Sequence, residues 1–142
     1  MNGLAWISIV LGCAAAIDDL RRRAISNWIS VTGVAAGLTY HAWRHGLQGL
    51  AVAAAGAAIG FVIFLLVYLM KGMGGGDLKL MAAFGALLGP RGILIAALLI
   101  AIIGGIAAAA TLIFDRRKRA IPYAPAIVLG SWLVLLSEAA KP

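Results

Sequence analysis

Six apolar segments, separated by short charged or glycine-rich stretches, make up most of the chain. They cover approximately residues 4–17, 25–43, 47–70, 78–88, 93–114 and 121–136. A helix needs about 20 apolar residues to cross the hydrocarbon core of a bilayer, so the third and fifth segments can span it with some tilt. The segment 78–88 is short, which predicts either a short tilted span or a re-entrant helix with buried ends. We therefore predict an all-α polytopic membrane helix bundle with about six transmembrane helices.

The composition supports an integral membrane protein. Hydrophobic residues make up 63% of the 142 residues and charged residues 12%, whereas about a quarter of the residues in soluble domains are charged. A chain of this length is too short for a membrane bundle plus a folded soluble domain, so we predict a single domain over residues 1–142. The only cysteine, Cys13, leaves no disulfide or cysteine-based metal site within one chain. The function is therefore expected in the bundle or its short loops.

Basic residues predict the topology, because nine of the twelve fall in three clusters beside apolar segments. These are Arg21, Arg22, Arg23, Lys71, Lys79, Arg116, Arg117, Lys118 and Arg119. With six spans and the N-terminus outside, all three clusters lie on the cytoplasmic side, as the positive-inside rule requires. Five spans would send the last cluster across the membrane. The six-span topology also places Asp18, Asp19 and Asp77 on the cytoplasmic side at similar depth. Because the basic residues flank apolar spans and form no soluble basic face, no nucleic-acid partner is expected.

Glycines at four-residue spacing recur in several of the apolar segments. The pairs are Gly33 and Gly37, Gly56 and Gly60, and Gly85 and Gly89. Small residues at this spacing allow helices to approach closely in lipid. We predict that they pack helices of one chain together, with a homodimer interface as the alternative.

Three consecutive glycines, Gly74, Gly75 and Gly76, lead directly into Asp77 at the boundary of two apolar segments. A carboxylate at the edge of hydrocarbon is costly, and such residues usually face protein or water and serve a function. Glycines without side chains let another backbone approach closely, here that of an extended substrate beside Asp77. The structural alternative is a flexible loop that ends in an aspartate capping a helix.

A second acidic site, Asp18 and Asp19, could act together with Asp77. Adjacent residues on a helix point about 100° apart, so only one of the two is expected to face a shared cleft, and the other to pair with nearby arginines. Two carboxylates at close range are expected to share a proton. The ionised carboxylate could then take a proton from water that attacks a peptide carbonyl, while the protonated one assists the leaving amine. This chemistry requires neither a cofactor nor a metal.

The motifs resemble those of the type IV prepilin peptidases, a family of intramembrane aspartic proteases. Residues 74–79 read Gly-Gly-Gly-Asp-Leu-Lys and match the Gly-x-Gly-Asp signature of that family. Residues 19–27 resemble its first motif, in which a catalytic aspartate precedes basic residues and an apolar–Pro–Asn/Asp ending, and residues 121–125 resemble its last-span entry. Ser26 stands where the family usually has proline. Spacing counted back from Asn27 selects Asp19, not Asp18, as the catalytic partner of Asp77.

The resemblance implies a function and a set of site residues. Asp19 and Asp77 would be catalytic, and the substrate would contact Gly74, Gly75, Gly76, Lys79 and Asn27. The substrate would be a prepilin or pseudopilin whose short basic leader is removed at the cytoplasmic face of a prokaryotic inner membrane. Larger members carry paired cysteines and also N-methylate the new pilin terminus, so this chain resembles the short, peptidase-only branch associated with Flp/Tad pili. Its partners would be the prepilin, the lipid bilayer and possible further copies of the chain.

Two other functions fit the same pair of acids. A small transporter or channel subunit could use Asp19 and Asp77 as a proton or cation site, although no polar residues continue a path through the outer half of the membrane. A presenilin-like protease that cuts within a substrate helix would share the aspartyl chemistry, and only overall resemblance and size separate it from a prepilin peptidase.

Overall fold

The computed structural model describes residues 3–22, 24–70, 72–114 and 124–139, and this part of the chain is almost entirely helical. Four helices follow one another: α1 (Gly3–Arg22), α2 (Asn27–Leu69), α3 (Gly75–Phe114) and α4 (Ala124–Ala139). The predicted all-α architecture is therefore confirmed. The last basic cluster and most of the predicted last-span motif, together with Arg23 and Lys71, lie outside the described residues.

Helices α2 and α3 each bend at a single glycine. Gly46 has φ 59° and Gly89 has φ 69°, a left-handed conformation that glycine adopts without steric cost. Pro90 follows the second bend and has no N–H to continue the hydrogen-bond ladder. Each helix is thus divided into two limbs, with α2 covering residues 27–45 and 47–69 and α3 covering 75–88 and 90–114. With α1 and α4, the limbs give six helical segments that correspond to the six apolar segments of the sequence.

The first limb of α3, which includes the short apolar segment 78–88, lies at the centre of the bundle. Its side chains at Leu80, Met81, Ala83, Phe84 and Ala86 are all completely buried. Helix α2 packs on α3 more extensively than any other pair of helices does. Apart from the exposed Lys79 and the half-buried Ala82, every residue of this segment is buried, and a helix that is buried on nearly all sides needs little polar surface.

Glycines bring the second limb of α2 against the first limb of α3. A Cβ atom added at Gly56 would lie 2.1 Å from the carbonyl oxygen of Gly85, and one added at Gly85 would lie 2.2 Å from that of Gly56. A Cβ at Gly60 would similarly lie 2.5 Å from the carbonyl oxygen of Met81. The prediction that these glycines pack helices within one chain is confirmed at these positions.

Three described helices are long and apolar enough to cross a membrane: Gly3–Arg22, Asn27–Leu69 and Gly75–Ile106. At 43 residues, α2 would be about 65 Å long if straight, roughly twice the hydrocarbon thickness of a bilayer. The bend at Gly46 folds it back into two limbs of about spanning length. Large apolar side chains such as Val10 and Leu98 are more than 60% exposed on the outside of the bundle, where lipid would cover them.

The turn between α1 and α2 and the bends within α2 and α3 lie at two opposite ends of the bundle. At one end, the turn after α1 packs on the start of α3, because a Cβ at Gly76 would lie 3.0 Å from Ile25. At the other end lie both bends, where Nε2 of His41 lies 3.0 Å from the carbonyl oxygen of Leu87, just before the bend in α3. The end that holds the α1–α2 turn and the start of α3 also holds the acidic residues.

Candidate active site

Helix α1 continues beyond its apolar run and places both acidic residues on the helix. Its buried face contains Ala5, Ser8, Gly12, Ala15 and Asp19, which are spaced alternately three and four residues apart. That spacing keeps side chains on one face of a helix. Asp19 is the last member of this buried stripe and is 7% exposed.

Asp18 points away from the stripe and holds the turn between α1 and α2. Its Oδ2 accepts hydrogen bonds from the backbone N–H of Ser26 at 2.8 Å and from the Ser26 hydroxyl at 2.5 Å. Its Oδ1 lies 3.4 Å from Nε of Arg22, one helical turn later. Ser26 is the N-cap residue of α2, although its side chain makes no capping bond to that helix. A proline at position 26 would have no N–H for Asp18, so the serine gives this turn a hydrogen bond that a proline could not form.

Asp77 lies in the first turn of α3 and is 8% exposed. Its Oδ2 accepts a hydrogen bond of 3.3 Å from the backbone N–H of Gly74, just before the helix begins. This is the reciprocal contact of a capping box, in which the third helical residue reaches back to the N-cap. The other oxygen, Oδ1, is buried and has no hydrogen-bond partner among the described residues. Asp77 therefore caps its helix with one oxygen and leaves the other available.

The carboxylates of Asp19 and Asp77 come close enough for their negative charges to repel each other. The structure thus brings together the two acids that the sequence motifs select, while Asp18 is engaged with Ser26 and Arg22. Both carboxylates are largely shielded from solvent. Charge interactions in such buried surroundings are stronger than in water. Such a pair can hold a proton and activate water.

The three glycines before Asp77 have different surroundings. Gly76 is covered by Ile25, with both Cβ and the backbone N of Ile25 at 3.0 Å from an added Cβ atom. Among the described residues, a Cβ atom added at Gly75 would meet Tyr68 alone, at 3.7 Å, and one added at Gly74 would meet the Asp77 carboxylate alone, at 3.5 Å. Gly76 therefore packs the α1–α2 turn against α3, in addition to any contact with substrate. Gly74 is exposed and Gly75 is half-buried.

Lys79 and Asn27, the other predicted substrate contacts, bind each other. Nζ of Lys79 donates a hydrogen bond of 2.8 Å to Oδ1 of Asn27, and both residues are exposed. They lie at one end of an apolar groove that also includes Ser30. Ser30 could not be identified from the sequence, because a serine within an apolar helix belongs to no motif and the groove forms only when three helical limbs assemble.

Comparison with known proteins finds one matching family and several similar proteins. A family model described as the type IV leader peptidase family matches residues 6–110. The chain is similar to a prepilin leader peptidase/N-methyltransferase of Xanthomonas campestris pv. campestris, with 36% identity over 88 residues. A protein of the same name from Bacillus subtilis is 36% identical over 85 residues, and one from Aeromonas hydrophila is 27% identical over 142 residues.

The matches cover different shares of the chain and of its relatives. They include 56% of the chain for the Xanthomonas protein, 57% for the Bacillus protein and 94% for the Aeromonas protein. The chain spans about a third to a half of the length of these curated relatives, with 31%, 34% and 47% of each covered. No solved structure matches the chain significantly.

Proposed function

The chain belongs to the type IV leader peptidase family, and on this basis we propose that it is a membrane aspartic endopeptidase acting on type IV prepilins or pseudopilins. It removes the short basic leader just ahead of the substrate's apolar helix. The observation that carries this proposal is the convergence of two buried carboxylates, Asp19 from α1 and Asp77 from α3, at one end of the bundle.

The reaction uses the two carboxylates as a unit. With one proton shared between them, the ionised carboxylate takes a proton from a water molecule, whose oxygen attacks the scissile carbonyl carbon. The protonated carboxylic acid donates a hydrogen bond to the developing oxyanion and then transfers its proton to the leaving amine. Asp77 can take part in this chemistry through Oδ1, which is unpaired among the described residues, while its Oδ2 accepts the hydrogen bond from Gly74.

Other residues of the same end hold the substrate in this proposal. Gly74 and Gly75 leave room for an extended chain beside Asp77, and Lys79 and Asn27 offer polar groups for its backbone. Gly76 remains a predicted contact, although Ile25 covers it in the free protein. The proposed roles of all five residues follow from the family resemblance and from their position beside the acidic pair.

The orientation of the site is also part of the proposal. The chain is a multi-pass membrane protein. We place it in the inner membrane of a prokaryote with the acidic pair facing the cytoplasm, because basic residues such as Arg21 and Arg22 lie at that end. A basic leader emerging on the same side would then meet the carboxylates without crossing the bilayer.

A cleavage assay with the purified protein tests the proposed activity. The substrate is a prepilin that carries a basic leader and an apolar helix, and mass spectrometry of both products gives the cleaved bond. We expect one cut, between the leader and the apolar helix, that persists in the presence of a chelator and of thiol- and serine-directed reagents. Cleavage within the apolar helix would indicate a presenilin-like protease, and metal-dependent cleavage would indicate a different hydrolase.

A further inference from the structure

A groove of about 610 Å³ lies between the two limbs of α2 and the first limb of α3. Asn27 and Lys79 form its polar end, and apolar side chains including Leu38 and Phe61 line the rest. Leu38 lies eleven positions after Asn27, about 16 Å further along the helix, so the groove extends well into the membrane from the end that holds the acidic pair. Val31, on its rim, is 65% exposed, so the groove opens sideways toward lipid.

Ser30 lines this groove and carries a hydroxyl group without a hydrogen-bond partner among the described residues. The residue is only 4% exposed, and an unpaired buried polar group is costly. A hydroxyl on a helix can bond a carbonyl of the preceding turn, as Thr32 does with Trp28 at 2.7 Å. Ser30 does not, so this residue of the groove wall carries a hydroxyl whose hydrogen-bonding capacity is unused within the described part of the protein.

The start of α3 connects the acidic pair with the groove by a surface without side chains. Asp77 lies within range of the charge of Asp19, and Lys79 lines the groove. Residues two apart on a helix point about 200° apart, so these two side chains lie on different faces of α3. Residues three or four apart lie on the same side of a helix. Gly74 therefore lies on the side of Asp77, three residues later, and Gly75 on the side of Lys79, four residues later. A peptide could cross this turn in about 10 Å, the length of about three extended residues.

We propose that the groove binds the start of the substrate's apolar helix, while the residues between that helix and the scissile bond cross Gly74 and Gly75 in extended form. This inference rests on the proposed leader-peptidase function. The first turn of a helix has four N–H groups without partners, and the membrane offers them no water. Ser30 can accept a hydrogen bond from one of them, and Lys79 and Asn27 can bind the extended backbone at the groove's end.

The test compares two substrates, an intact prepilin and a peptide truncated three residues after the scissile bond, which cannot reach the groove. Ala35 lines the groove and is exposed, so Ala35→Phe fills the groove without disturbing the core. Ala55→Phe is the matched control, because Ala55 is exposed on the second limb of α2 and does not line the groove. We expect Ala35→Phe to raise KM for the intact prepilin about tenfold, equivalent to about 1.4 kcal/mol. Cleavage of the truncated peptide by Ala35→Phe should stay within about twofold of wild type, because this peptide does not reach the groove. Ala55→Phe should cleave both substrates within the same range, because it leaves the groove unfilled.

Ser30→Ala provides a second variant with no added volume. We expect it to raise KM for the intact prepilin about fivefold, the value of one hydrogen bond, while leaving the melting temperature of the free protein equal or higher. A lower melting temperature with unchanged KM would mean that Ser30 is merely structural. Wild-type KM values for intact prepilin in both groove variants would overturn the proposal and leave the leader-peptidase function intact.

Photocrosslinking separates docking from cleavage. A photoreactive amino acid replaces Leu38 in the Asp77→Asn protein, which is incubated in vesicles with intact prepilin. We expect crosslinks to the first turns of the prepilin's apolar helix, and none when the photoreactive residue stands at position 55. Crosslinks to lipid alone would overturn the proposal, because an acyl chain would then occupy the groove. If no form of the protein cleaved prepilin, the proposed function would fail, and the crosslinks would still decide whether the groove binds this helix.

Discussion

The contact between Gly56 and Gly85 gives a prediction whose size can be derived from the structure. In Gly85→Ala the new Cβ atom would lie 2.2 Å from the carbonyl oxygen of Gly56, far inside van der Waals contact. The new Cβ atom is fixed to the backbone of one helix and the carbonyl oxygen belongs to the backbone of the other, so the second limb of α2 and the first limb of α3 must separate by about 1 Å to restore van der Waals contact. Forced repacking of this kind costs about 1–3 kcal/mol.

The same displacement should reduce activity, because the first limb of α3 carries Asp77. A misplacement of about 1 Å in a reacting group can lower a rate about a hundredfold. We therefore expect Gly85→Ala to lower both the melting temperature in detergent and kcat for prepilin cleavage. Both are measured on the same purified sample, so that loss of folded protein is separated from loss of activity.

Gly105→Ala is the matched control, since it makes the same substitution in the same helix at a position where no atom of the described residues lies within 4 Å of the new Cβ. Alanine favours a helix over glycine by up to about 1 kcal/mol, so this variant should be as stable as wild type or slightly more stable. Equal melting temperatures for Gly85→Ala and Gly105→Ala would refute the helix contact, and wild-type kcat in a destabilised Gly85→Ala would refute its link to the acidic pair.

Three further predictions concern the site and its orientation. Gly76→Ala should lower kcat, because the new Cβ would push Ile25 and with it the α1–α2 turn away from α3; an unchanged kcat would show that the turn adapts. The rate of cleavage should fall at both low and high pH, with two apparent pKa values that belong to the pair, because protonation inactivates the general base and deprotonation inactivates the general acid. A rate that levels off at low or at high pH would contradict this. A cysteine at position 45 in a Cys13→Ser background should react with an impermeant reagent from outside, whereas one at position 24 should not, and the reverse pattern would overturn the orientation.

Much of the fold can be predicted from the sequence because each helical limb is apolar and each bend has a glycine. The six apolar segments correspond to α1, α4 and the limbs of α2 and α3. The prediction is incomplete at the bends, where Gly46 and Gly89 each turn the chain within a helix instead of opening a longer loop. The short segment 78–88 could not be assigned from length alone, since its burial depends on the helices around it.

Two independent patterns in the sequence identify Asp19 as the partner of Asp77. Spacing from Asn27 selects Asp19, and the three-and-four spacing of small residues along α1 selects the same residue by independent reasoning. The bond between Asp18 and Ser26 could not be predicted, because it depends on the conformation of the turn. Nor could the groove beside Ser30, since its walls come from limbs far apart in sequence.

The most direct test of the account is a mutant cycle on the acidic pair, measured as kcat for cleavage of intact prepilin. General acid–base groups contribute about 10²–10⁴-fold to a rate, so Asp19→Asn and Asp77→Asn should each lose activity on that scale. Because the two act on one water molecule, the double variant should be scarcely worse than either single variant. Asp18→Asn, changed at the neighbouring carboxylate, should keep substantial activity. Wild-type cleavage by a folded Asp77→Asn protein, or loss at Asp18 with retention at Asp19, would contradict the account.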